Sequence, residues 1–109
     1  MDFMIDIPGV AQAVLEIRKK VETSLGGFKD DQALTAIKGS VGVIRRRCGG
    51  EPGILQKAGS IETWAGMLYS ERKSQGYGGP DRVKGFIYED CQSIVDRLRA
   101  SEAGSLEAE

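Results

Sequence analysis

Histidine is absent from this 109-residue chain. That removes the side chain most often used as a general base and as a metal ligand near neutral pH. Nucleophilic chemistry would fall to Cys48 or Cys91, or to a serine paired with a lysine. Cys48 follows Arg45, Arg46 and Arg47, and nearby cations favour a thiolate. Both cysteines nevertheless fall on apolar helical stripes, so two reduced, buried thiols are expected, with a single disulfide as the alternative. No serine or cysteine stands in a nucleophile elbow. Two cysteines without histidine cannot close a four-ligand zinc site, so no metal and no cofactor is expected. The adjacent carboxylates Asp30-Asp31 and Glu89-Asp90 do not make a catalytic pair by sequence, because helical neighbours point about 100° apart. The first pair reads as helix capping and the second as part of an exposed face.

Binding chemistry is better represented. Arg45-Arg46-Arg47 fan around a predicted helix end, where cations complement the helix dipole and can also grip phosphate or an acidic partner. Gly76-Tyr77-Gly78-Gly79 places a lone aromatic in the loosest loop of the chain, a position suited to contact. Trp64, the single tryptophan, is either core filler or an interface anchor, since Trp, Tyr and Arg dominate binding hot spots. The glycine stretches do not match phosphate loops. Gly49-Gly50-Glu51-Pro52-Gly53 lacks the following Gly-Lys-Ser/Thr, and Pro52 removes an amide that would contact phosphate. Residues 54–65 carry an echo of a helix-turn-helix, with Ala58-Gly59 as the turn and 61–73 as the recognition helix. Trp64-Ala65-Gly66 resembles the Trp-x-Gly signature of small secreted helical-hairpin proteins over three residues only. In that family the motif sits at a turn, whereas here it falls inside a predicted helix, so nothing is carried over.

The elements that must position these residues are helical. Asp6 and Pro8 open a helix over about 8–25, with Val10, Val14, Ile17, Val21 and Leu25 on one stripe. Asp30-Asp31 open a second, striped by Leu34, Ile37, Val41, Ile44 and Cys48. Gly39 and Gly42 lie inside it, each costing about 1 kcal/mol against alanine. Either a neighbouring helix approaches the small face of Ala36, Gly39, Ser40 and Val43, or 40–46 is a strand. A short helical piece over 54–58, a turn at Gly59-Ser60 and a helix over about 61–74 follow. Pro80-Asp81 open the last helix, with Val83, Ile87, Cys91, Ile94 and Leu98 inward. Residues 1–100 therefore read as a single all-α domain, a small bundle of about four amphipathic helices. Residues 101–109 read as an acidic flexible tail.

Composition narrows the class. Fifteen Lys+Arg against sixteen Asp+Glu leave a net charge of −1, which excludes binding to nucleic acid by bulk charge. No apolar run reaches the roughly 18–20 residues of a membrane span, and no secretory leader is visible at the N-terminus. The expected function is that of a small, non-catalytic, cytoplasmic interaction module: an adaptor, inhibitor or accessory subunit. Its partner would be another protein or a second copy of itself, not a membrane. The expected contact residues are Arg45, Arg46, Arg47, Trp64 and Tyr77. The alternative is a helix-turn-helix-like nucleic-acid binder using the 61–73 helix and the Arg45–Arg47 cluster.

Overall fold

The computed structural model describes the backbone of residues 4–108 and the side chains of residues 4–102. The described chain is all helix and turn: α1 (Ile7–Thr23), α2 (Asp31–Arg47), α3 (Pro52–Leu68), α4 (Glu71–Gln75) and α5 (Pro80–Ala108). Side-chain caps start the first four. Asp6 accepts from the Gly9 amide, Asp30 from Ala33, Glu51 from Gly53 and Ile54, and Ser70 from Lys73. Each carboxylate or hydroxyl satisfies amides that lack an intrahelical partner.

Helices α1, α2, α3 and α5 form a ring in chain order, closed by α5 against α1. Short connections make neighbours antiparallel, as in an up-down-up-down bundle. The core is aliphatic: Ile17, Ile37, Ile44, Ile54, Ile61, Leu68, Ile87 and Ile94 are fully buried. One end is locked by the α1–α2 loop. The Gly27 amide donates to the Leu68 carbonyl at 2.8 Å, at a φ of +88° that suits glycine. Lys84 of α5 donates to the Ser24 carbonyl at 2.8 Å, and the Tyr69 hydroxyl bonds the Ser24 hydroxyl. At the other end the Asp6 amide donates to the Arg47 carbonyl at 2.8 Å. Helix α5 has 29 residues against 17 in each of α1, α2 and α3, about 43 Å against about 25 Å. Because Arg97 already reaches Glu51 at the start of α3, the last turns of α5 project beyond the bundle.

Two sequence expectations change. Gly59-Ser60 is not a turn: α3 runs unbroken through it, and the break falls at Tyr69-Ser70. Ser60 stays helical because its hydroxyl donates to Asp90 on α5, a partner that local sequence cannot supply. Leu25 leaves the first stripe, since α1 ends at Thr23 and the leucine is 78% exposed. The α5 backbone stays helical past residue 100, where the apolar stripe runs out. The ambiguity over 40–46 resolves as helix. The expected close approach at Gly39 does not occur among the described residues: a Cβ there would meet nothing within 4 Å.

Candidate functional site

The fold joins two residues that sequence treated separately. Ser74 of α4 is fully buried, and its carbonyl accepts from the amides of Tyr77 (3.1 Å) and Gly79 (2.9 Å). Gly78 and Gly79 adopt φ of +95° and +100°, which reverses the chain tightly before α5. This turn lays Tyr77 edge-on against Trp64, with centroids 5.1 Å apart and planes at 87°. Phe86 of α5 supports Trp64 from another side at 4.7 Å, and the Arg82 guanidinium lies 5.8 Å from the Phe86 ring centre. Trp64 and Phe86 are half-buried, whereas Tyr77 is 46% exposed. Tyr77 is thus an anchored aromatic rather than a lone ring on a loose loop. Such edge-to-face pairs contribute about 0.5–1.5 kcal/mol beyond burial. Phe86 adjoins the Val83–Ile87 stripe in sequence, but only the packed helices bring it to this corner.

The arginine triplet is divided by the bundle. Arg45 pairs with Glu62 of α3 at 3.2 Å, and Arg47 pairs with Asp6 at 2.6 Å. Both therefore tie α2 to its neighbours. Arg46 is exposed and makes no ion pair among the described residues. Successive side chains point about 100° apart, and two of the three are engaged in ion pairs within the bundle. Arg47 and the Gly9 amide together hold the Asp6 carboxyl below its ordinary value. A carboxyl lowered by folding contributes stability that is present above its unfolded pKa and lost as pH falls through the folded one. Acidification is therefore expected to free the start of α1, and Arg47→Ala to return Asp6 toward ordinary carboxylate titration. Carbon-detected NMR titration of the Asp6 carboxyl checks both.

The helix-turn-helix geometry is absent. Ala58 and Gly59 lie inside α3, and residues 61–73 are split between α3 and α4. Trp64-Ala65-Gly66 likewise sits within α3 and not at a turn. Asp90, expected on an exposed face, is 7% exposed. It accepts from Ser60 and faces Lys57 at 3.6 Å, so it fastens α5 to α3. The only sequence hint was Lys57 and Ser60 on one face of a helix.

Both cysteines are free and buried. Burial pushes the Cys91 thiol up to about 12, which suppresses its thiolate at neutral pH. The expected result is slow alkylation of Cys91 at pH 8 in the folded protein and rapid alkylation in denaturant, read by mass spectrometry. Among the described residues no three His, Cys, Asp or Glu side chains gather to hold a metal. No helix there is long and apolar enough to cross a membrane. Compared with described protein families, with curated proteins and with solved structures, this chain matches none of them.

Proposed function

We propose that this chain is a small, non-catalytic protein-interaction module of the cytoplasm, an adaptor, inhibitor or accessory subunit, with Tyr77 as its leading contact residue. The observation that carries this reading is the aromatic corner. A ring 46% exposed yet fixed by Trp64 and a hydrogen-bonded glycine turn offers contact area at little entropic cost on binding. Arg46, unpaired among the described residues, is the member of the arginine triplet available to a partner. A second copy of the chain is one candidate partner.

The test is recovery of partners on the tagged protein from its native cells, with and without nuclease. Wild type is expected to retain a protein partner after nuclease, and Tyr77→Ala to lose it while keeping its helical circular dichroism. Equal recovery by the variant would remove Tyr77 from the contact. Recovery that collapses with nuclease would overturn the protein-interaction reading in favour of nucleic acid.

A further inference from the structure

The charge of this molecule is unevenly placed. In α2 and α3 the acids are Asp31 and Glu62, against Lys38, Arg45, Arg46, Arg47 and Lys57. Asp31 lies near Lys29, and Glu62 is taken up by Arg45. Between these helices and α4 runs a shallow groove of about 460 Å³, lined by Lys38, Glu62, Thr63, Gly66, Met67 and Lys73. Lys38 and Lys73 are exposed on its borders and form no ion pair among the described residues. With Glu62 neutralised, the groove presents positive charge on a protein whose net charge is −1.

Gly66 adds an independent observation. It lies inside α3, and a Cβ there would meet nothing within 4 Å. Glycine within a helix is less favourable than alanine. The helical glycines Gly39 and Gly85 are equally open, but of the three only Gly66 lines this groove. Bare backbone in the floor of a groove does allow close approach by another chain. Met67 beside it supplies an adaptable apolar contact.

We infer that the α2–α3 groove docks an acidic segment of a partner protein, its carboxylates meeting Lys38 and Lys73 and its backbone passing over Gly66. This deepens the interaction-module reading and rests on it. A protein segment fits better than nucleic acid. The cations are few, the floor is partly apolar, and the molecule as a whole carries no excess positive charge to attract a polyanion.

The test uses a fluorescent helical peptide of Ala, Leu and Glu, its Glu→Gln counterpart, and an oligothymidylate, each titrated into the full chain by anisotropy. Exposed ion pairs contribute about 0.2–1 kcal/mol each, so two predict that the Glu peptide binds about 2- to 30-fold tighter than the Gln peptide. Lys38→Glu with Lys73→Glu should abolish that preference. Gly66→Leu should block binding while the thermal midpoint holds or rises, a combination that a merely structural role would not give. Amide shifts on binding should centre on residues 38, 62–67 and 73. Equal binding of both peptides, tighter binding of the oligonucleotide, or shifts centred elsewhere would overturn the inference. A Tyr77-dependent protein partner recovered alongside failed peptide binding would overturn the groove alone and leave the interaction module standing.

Discussion

Ser60→Pro is expected to unfold this domain or lower its thermal midpoint by at least about 15 °C. Proline within a helix costs about 3 kcal/mol, because it removes an amide donor and clashes with the carbonyl four residues back. Ser60 sits in the middle of α3, so this cost applies in full. The substitution also deletes the hydroxyl that donates to the buried Asp90, and a lost bond to a charged group costs about 1.5–3 kcal/mol. Together the losses rival the roughly 5–15 kcal/mol that keeps a domain folded. Ser60→Ala separates the two effects. It loses only the hydrogen bond, and Asp90 keeps Lys57 at 3.6 Å, so a cost of about 1–3 kcal/mol is expected. Denaturant unfolding of both variants provides the measurement. If proline costs no more than alanine, the chain turns at Gly59-Ser60 and the unbroken α3 is wrong.

Trp64→Ala is expected to cost about 2–3 kcal/mol, below the roughly 3–5 kcal/mol for truncating a fully buried large aromatic, because the ring is half-buried. Tyr77→Ala is expected to cost about 1 kcal/mol, close to the edge-to-face pair it forfeits. The inequality follows from geometry. Trp64 touches both Tyr77 and Phe86, so its loss opens a gap between α3 and α5, whereas Tyr77 caps the cluster from outside. Urea unfolding followed by circular dichroism reads both variants, since Trp64→Ala removes the single tryptophan fluorophore. Removing Tyr77 should also shift the Trp64 emission toward longer wavelength as water reaches the ring. A Trp64→Ala cost below about 1 kcal/mol would make Trp64 a surface anchor in its own right. Its place as the support beneath Tyr77 would then be lost.

Legibility followed the range of the interactions. The stripe Val83, Ile87, Cys91, Ile94 and Leu98 is buried as its spacing predicts, because a 3.6-residue period is a local property of the chain. Asp6 and Asp30 cap where they stand before their helices. The Gly59-Ser60 dipeptide carried a correct local statement, weak helix propensity, that a contact from α5 overrides. Leu25 continued an apolar period beyond the point where the Gly26-Gly27 connection turns onto Leu68 and Pro80. In the arginine triplet, sequence identified the charges and the helix end. Which arginine was left without an ion pair among the described residues depended on Glu62 and Asp6, 17 and 41 residues away.

The sequence by itself determined an all-α chain, its amphipathic stripes, the Asp6 and Asp30 caps and its aliphatic core. Those features rest on propensity, periodicity and hydrogen bonds spanning three or four residues. Only the tertiary structure decided that α3 is continuous, that Asp90 is an interior clasp and that Arg46 is left without an ion pair among the described residues. It also brought Trp64, Tyr77 and Phe86 into one corner. Each of these depends on groups far apart in sequence meeting after the ring of helices closes. Local propensities of a few tenths to 1 kcal/mol per residue are outweighed there by contacts that exist only in the packed bundle.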